Sequence, residues 1–152
     1  MGFFGTNKMK KEFIELWLKT KLLRARQIDK DKIVSMLKTA EINAKVVRKL
    51  PLEEENATVI FRELYESIRQ LGDAKWWLLG YESLNHEISL DVLKELDIKE
   101  KIKLNNIDRF KRIRHDANYR GFIVSFSQAK EIIEFWDDCC KEIMKMLLKE
   151  LG

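Results

Sequence analysis

Apolar side chains recur every three to four residues along most of this chain, which is the spacing of one face of an α-helix. Pro51 is the only proline among the 152 residues, so long helices can run without the break that proline causes inside a helix. The β-branched clusters at 58–60 and 123–124 are short and isolated, and we find no convincing strand. The sequence therefore predicts an all-α, up-and-down antiparallel bundle of about five to six helices.

Cap and stop residues divide the first half of this pattern into three helices. An amphipathic helix is predicted over residues 10–27. A second helix begins after Asp29 or Asp31 and ends near Leu50, just before the proline. A third helix of about 28 residues starts near Glu54.

The second half of the chain contains three further helical segments. Ser89 is the predicted N-cap of a short segment over 90–96. A helix over 107–119 follows, and Gly121 is expected to stop it. Ser127 is the predicted start of the last helix.

Composition indicates one globular domain. Apolar residues make up 45% of the chain, charged residues 36%, and eight Phe and four Trp are present, so the chain can bury a core without disulfides or metals. We therefore treat residues 1–152 as one domain. Residues 31–151 form its core in this interpretation, and residues 1–29 are candidates for an N-terminal helical extension.

Several functional classes are excluded by what the sequence lacks. Cys139 and Cys140 are neighbours, a spacing that matches neither a disulfide framework nor a zinc site. No apolar run approaches the roughly 18 residues of a membrane span, and no secretory segment precedes the domain. Phosphate-cradling glycine loops and nucleophile elbows are also absent. We therefore expect a cytoplasmic protein with no cofactor, no metal and no membrane partner.

The segment 109–121 is the most informative part of the chain. The net charge is only +4, so the clustering of basic residues matters more than their total. Six basic side chains occupy about three helical turns, and they are Arg109, Lys111, Arg112, Arg114, His115 and Arg120. At about 100° per residue, Arg109, His115 and Tyr119 project within a sector of roughly 120° that also holds Arg112. The pattern predicts one surface on which Arg, His and Tyr converge.

This grouping suits attack on a phosphodiester. A neutral His115 can take the proton of a ribose 2′-OH, and arginines can stabilise the charge that the phosphorane gains. The alternative is a basic face that only binds an anion or the acidic groups of a partner. His86, the other histidine of the chain, either stabilises a turn or lines a groove within the polar junction 80–87.

These residues resemble the HEPN domains, named for higher eukaryotes and prokaryotes nucleotide-binding. The resemblance covers residues 31–151 and is carried by the run Arg114-His115-Asp116-Ala117-Asn118-Tyr119-Arg120-Gly121, the junction Gly80-Tyr81-Glu82-Ser83 with His86-Glu87, and the helix with Ala40, Asn43 and Ala44. HEPN domains are helical bundles that dimerise through the helices bearing the basic motif. Many are metal-independent RNases, often toxins beside a small nucleotidyltransferase antitoxin. The resemblance implies the same fold, dimer and RNA target here.

The family's hallmark is an arginine, usually followed by a polar residue, with a histidine about four to six residues later. If Arg109 is the arginine of the hallmark, His115 follows at the right spacing, but Phe110 occupies the position that is usually polar. If Arg114 is the arginine of the hallmark, the next residue, His115, is polar, but asparagine and tyrosine occupy the positions where the histidine is expected. We prefer Arg109 with His115, because Arg114 falls at the edge of the apolar face.

The basic segment and the resemblance together predict an endoribonuclease that leaves 2′,3′-cyclic phosphate ends, and the resemblance implies that it acts as the toxin of a toxin–antitoxin or defence system. The alternative is a non-catalytic HEPN module that binds RNA or a nucleotide, or docks a nucleotidyltransferase. The expected partners are a second copy of the chain, RNA or a nucleotide, and a nucleotidyltransferase antitoxin. The predicted roles are catalysis by His115 and Arg109, RNA or phosphate binding by Arg112, Arg114, Asn118, Tyr119 and Arg120, and support by Glu66 and His86.

Overall fold

Helices make up most of the structure. The computed structural model describes the backbone of residues 7–152 and the side chains of residues 11–152. The elements are α1 (Asn7–Lys19), β1 (Leu23–Ala25), α2 (Lys30–Val47), α3 (Glu54–Leu78), β2 (Tyr81–Ser83), α4 (His86–Asp91), α5 (Asn106–Tyr119), α6 (Phe126–Phe135) and α7 (Lys141–Leu151). Two 3₁₀ turns, Val92–Glu95 and Lys101–Asn105, link α4 to α5. A π-helical turn, Trp136–Cys140, joins α6 to α7 as one continuous helix. The predicted helical bundle is confirmed.

Helix α3 is the centre of the bundle. Helices α2, α4, α6 and α7 all pack against it, because its apolar residues cover more than one face and most are fully buried. Phe61 of α3, Phe110 of α5 and Phe135 of α6 form an edge-to-face series with ring centroids 6.1 and 5.3 Å apart. This series holds the inner side of α5 against the core.

The predicted start of α2 is confirmed. The Asp29 side chain accepts a hydrogen bond from the backbone N–H of Lys32 at 3.0 Å, which satisfies one of the free donors at a helix start. The helix ends at Val47, and two turn residues lead towards Pro51. Helix α3 then starts at the predicted Glu54 and has 25 residues.

Two predicted N-caps are wrong by two to four residues. Ser89 lies buried inside α4, and Asn85 caps that helix by accepting from the backbone N–H groups of residues 87 and 88. Ser125, not Ser127, caps α6, and Gln128 completes a reciprocal capping box. Each segment offers more than one capping residue, and packing decides which one lies at the helix end.

The absence of strands was also predicted incorrectly. Helix α1 ends at Lys19 instead of continuing to residue 27, and Lys21 adopts a left-handed backbone conformation with φ of 62°. The chain then enters β1, which pairs antiparallel with β2 so that Leu23 lies opposite Ser83. Strands of three residues are too short to show an alternating pattern of apolar and polar side chains. The residues of β1 therefore fitted the helical spacing of the preceding segment and were included in the predicted helix.

The N-terminal segment packs on the same core. Trp17 of α1 contacts Trp76 of α3 edge to face at 6.0 Å, and Ile14 is buried. Residues 1–6 of the predicted extension lie outside the described residues. No helix within residues 7–152 is both long enough and apolar enough to cross a membrane.

Helices α3 and α4 approach each other unusually closely at Gly72. A Cβ atom at Gly72 would lie 1.8 Å from the backbone oxygen of Ser89, so only glycine fits there. One turn later, Trp76 Nε1 donates a 2.8 Å hydrogen bond to the backbone oxygen of Ile88. The two contacts fix the position of α4, and with it the polar junction that precedes α4.

We predict that Gly72→Ala destabilises the protein by about 1–3 kcal/mol, because the backbone of α4 must move away from α3. This loss should appear even though alanine favours helix by about 1 kcal/mol. Urea unfolding measures it, with Val59→Ala at an exposed position of α3 as the control that changes stability by about 0.5 kcal/mol or less. Equal stability of Gly72→Ala and the parent protein would contradict the close contact.

Candidate functional site

A polar cavity of about 390 Å³ lies between α3, the start of α4, and α5. Its volume is within the range of ligand-binding pockets. It is lined by Tyr65, Glu66, Arg69, Asn85, His86, Glu87, Lys111, Arg114, His115, Asn118 and Tyr119. Five of these residues belong to α5, so the basic segment forms one wall of the cavity.

The rotation of α5 about its own axis decides which of its side chains face the core and which line the cavity. Ile107 and Phe110 are buried and turn one face of the helix to the core. Arg114 lies at the edge of that face and is half-buried. His115 and Asn118 follow on the side that turns towards α4, and both are exposed to the cavity.

Ion pairs hold this wall against α4. Lys111 of α5 pairs with Asp91 at the end of α4. Lys94 lies 3.4 Å from the same carboxylate and 3.0 Å from Asp108 of α5. Each pair is partly exposed and stabilises the protein only modestly, but together they limit how far the two helices can separate.

Arg114 is the basic side chain with unmet hydrogen-bonding capacity. Its Nε and Nη1 atoms are buried, and neither has a hydrogen-bond partner within the described part of the chain. Its guanidinium carbon lies 5.7 Å from the centre of the Tyr65 ring, within cation–π distance. A buried donor without a partner costs about 1–3 kcal/mol. The cavity therefore favours a ligand that brings acceptor oxygens to Arg114.

The other arginine of the cavity, Arg69, is already neutralised. Its Nε donates to Glu66 Oε2 at 2.9 Å, and its Nη1 donates to Asp73 Oδ2 at 2.7 Å. The hydrogen bond from Arg69 lowers the pKa of Glu66, whereas burial raises the pKa of Asp73. The positive charge of Arg69 is therefore balanced by protein carboxylates, whereas the described residues form no ion pair with Arg114.

His115 lies at the mouth of the cavity beside Tyr119. Their ring centroids are 4.9 Å apart with planes inclined by 44°. Tyr119 is 77% exposed, so its ring has a free face next to the imidazole. A flat aromatic ligand could stack on this face while its phosphate meets Arg114.

The structure brings together six of the predicted site residues in this cavity: Glu66, His86, Arg114, His115, Asn118 and Tyr119. Arg112 and Arg120 line an adjoining depression of about 340 Å³, and His115 belongs to both. The predicted basic surface is therefore divided into two neighbouring parts that meet at His115.

The expected convergence of Arg109 with His115 does not occur. Arg109 lines neither depression, is 52% exposed, and pairs with Glu131 of α6 at 3.0 Å. Arg109 and His115 lie at opposite limits of the 120° sector drawn from the sequence, about 120° apart around α5. Side chains that differ by this angle contact different neighbouring elements: Arg109 faces α6, whereas His115 faces the cavity beside α4. Arg114, the alternative arginine, is the one that shares the cavity with His115.

Two cavity residues, Tyr65 and Arg69, were missed in the sequence. They occur one helical turn apart on α3, where the surrounding positions are apolar and buried. Polar side chains among apolar positions of a helix were the sequence signal that could have indicated these two residues. Three further cavity residues lie within the predicted basic segment or the polar junction, but the sequence pattern assigns them no individual role; they are Lys111, Asn85 and Glu87.

The cysteines lie away from the cavity, in the π-helical turn. Cys139 and Cys140 are buried and unpaired. Burial raises the pKa of the Cys139 thiol to about 11, which disfavours the reactive thiolate. Within the described residues, no three His, Cys, Asp or Glu side chains form a cluster that could hold a metal ion.

No protein-family model, curated protein or solved structure matches this chain. The resemblance to HEPN domains therefore stays a prediction that depends on the motif residues. The function must be argued from the cavity itself.

We predict that Tyr65 stays neutral well above pH 10, because burial raises its pKa to about 12. The unfolded chain ionises this phenol near pH 10, so between pH 10 and 12 ionisation favours unfolding and the stabilising contribution of neutral Tyr65 is lost. The loss for this group should be about 1 kcal/mol at pH 11.

Urea unfolding of the parent protein and Tyr65→Phe at pH 8 and pH 11 measures this contribution. Tyr65→Phe should lose less stability between the two pH values than the parent protein. Tyr119→Phe is the matched control, because it makes the same substitution at an exposed position. The same pH dependence in the parent protein and Tyr65→Phe would contradict the burial of Tyr65 as the cause.

Proposed function

We propose that this protein is an endoribonuclease whose cavity binds one phosphodiester of RNA. The observation that carries the proposal is the position of Arg114, whose buried and unpartnered guanidinium nitrogens share a cavity with His115. A phosphate supplies the acceptor oxygens that Arg114 needs, and guanidinium binds phosphate in a fixed fork geometry.

The proposed reaction begins with proton transfer to His115. Its neutral imidazole accepts the proton of the ribose 2′-OH, and the 2′-oxygen then forms a bond to phosphorus. Arg114 donates hydrogen bonds to the non-bridging oxygens and stabilises the charge that develops on them. The bond from phosphorus to the 5′-oxygen breaks, and this oxygen takes up a proton. The products are a 2′,3′-cyclic phosphate end and a free 5′-hydroxyl end.

Neighbouring residues suit the rest of an RNA strand. Tyr119 can stack a base on its exposed ring face, and Asn118 adds amide donors and acceptors nearby. In this proposal, Arg112 and Arg120 of the adjoining depression bind the next phosphate along the strand. In this proposal Arg114 replaces Arg109 as the catalytic arginine.

A second candidate function is binding without cleavage. With Arg114 as the arginine of the HEPN hallmark, Asn118 and Tyr119 occupy the region where the family's histidine is expected. This departure favours a module that holds RNA or a nucleotide in the same cavity. The same residues would then bind the ligand, and His115 would not transfer a proton.

The resemblance to HEPN domains supports the biological setting of both candidates. We propose that the protein acts in the cytoplasm as a homodimer formed through α5, the helix that bears the basic segment. We also propose a small nucleotidyltransferase as its partner, which would act as the antitoxin of a toxin–antitoxin or defence system.

We predict that the protein cleaves single-stranded RNA in the presence of a chelator and leaves 2′,3′-cyclic phosphate ends. His115→Ala should lower the rate by about 10² to 10⁴, because the proton acceptor is lost. Arg114→Ala should lower it by about 10² to 10³, because the developing charge loses its donors. End-labelled RNA with analysis of the product termini measures both effects.

Arg109→Ala is the matched control, because it removes an arginine from the same helix but outside the cavity. It should cleave RNA within about threefold of the parent rate. Cleavage that is indifferent to His115 and Arg114 would contradict the enzyme proposal. RNA binding that needs Arg114, with no cleavage by the parent protein, would instead favour the binding module.

A further inference from the structure

We infer that His86 is a second catalytic histidine, which donates the proton taken up by the 5′-oxygen as it leaves. This inference rests on the proposed ribonuclease function. It identifies the residue that donates a proton to the 5′-oxygen, the one step of the proposed reaction that has no assigned residue. One chain would then supply both the base and the acid of RNA cleavage, from α5 and α4 respectively.

The first observation is that both histidines of the chain line one cavity. The sequence contains only His86 and His115, which are 29 residues apart and lie on different helices. Both line the same cavity, together with the unpartnered Arg114. A general acid and a general base on either side of a bound phosphate are what transphosphorylation requires.

The second observation is that the structure does not need His86 as a cap. Asn85 caps α4, with its Oδ1 atom 2.8 and 3.3 Å from the backbone nitrogens of Glu87 and Ile88. Ser83 Oγ donates to the backbone oxygen of Asn85 at 2.7 Å, and Ser89 Oγ lies 3.0 Å from Ser83 Oγ. Side chains on both sides of His86 therefore stabilise this turn, and its imidazole is exposed to the cavity.

The third observation is that the histidines have different neighbours. The charge of His86 acts on both Glu66 and Asp73: it adds to the effect of Arg69 that lowers the pKa of Glu66, and it partly opposes the burial that raises the pKa of Asp73. Two carboxyl groups of α3 therefore lie within electrostatic range of His86. His115 instead lies beside Arg114 in the cavity and beside Arg112 in the adjoining depression, so the two histidines differ in the charges that surround them.

The two histidines balance the protons of the reaction. Neutral His115 takes the 2′-OH proton as the bond from the 2′-oxygen to phosphorus forms. The imidazolium of His86 gives its proton to the 5′-oxygen as the bond from that oxygen to phosphorus breaks. His115 ends protonated and His86 ends neutral, so exchange of one proton each with water restores the starting state.

The experiment compares two substrates that differ in their leaving group. A dinucleotide of RNA has a 5′-alkoxide leaving group that must be protonated. A nucleoside 3′-(4-nitrophenyl phosphate) releases 4-nitrophenolate, which leaves without a proton. His86→Gln should lower kcat/KM for the dinucleotide by about 10² to 10⁴ but lower it less than about tenfold for the nitrophenyl ester. His115→Gln should lower both, because both reactions need the base.

Arg62→Ala is the control, because it removes an exposed arginine of α3 that lines neither depression, and it should leave both substrates within about threefold of the parent protein. His86→Asn provides a second variant in case His86→Gln shifts the urea unfolding midpoint. Equal losses on both substrates would overturn the acid role and make His86 a binding or positioning residue. No loss on either substrate would overturn any role for His86. If the parent protein cleaves neither substrate, the ribonuclease proposal itself fails, which is a separate outcome.

Discussion

The close contact between α3 and α4 at Gly72 is the constraint on which the rest of the site depends. Because Gly72 has no side chain, the backbone of Ser89 can lie against α3, and Trp76 can bond to the oxygen of Ile88. This contact fixes the start of α4, where His86 lies, over the polar part of α3. Helix α5 closes the cavity from the other side through its ion pairs to the α4 segment.

Charge balance then gives the cavity its chemical character. Arg69 lies between Glu66 and Asp73 and is compensated by both. Arg114 has buried nitrogen atoms without partners in the described structure, and the neighbouring aromatic ring of Tyr65 accepts no conventional hydrogen bond from them. Burial of a guanidinium is tolerable when a ligand supplies the missing acceptors. The carboxylates of Glu66 and Asp73 form ion pairs with Arg69, and this difference between the two arginines is the basis of the proposed anion site at Arg114.

The sequence was a good guide within single helices and a poor one between them. The Asp29 cap, the start of α3 at Glu54 and the apolar face of α5 were all predictable, because each depends on neighbouring residues or on helical spacing. The strands at Leu23 and Tyr81 were not, since three-residue strands exist only through their pairing. The expected convergence of Arg109 with His115 does not occur, because a helical wheel gives the angles of side chains around one helix and not the neighbouring elements that they contact.

By itself, the sequence determined that the chain is helical, that one helix carries a basic segment, and that His115 and Tyr119 lie one turn apart on it. Only the tertiary structure decided that Arg114 and not Arg109 shares the cavity with His115, and that His86 reaches the same cavity. The physical reason is that helical periodicity sets the direction of each side chain around its own axis. What lies in that direction depends on how the helices pack.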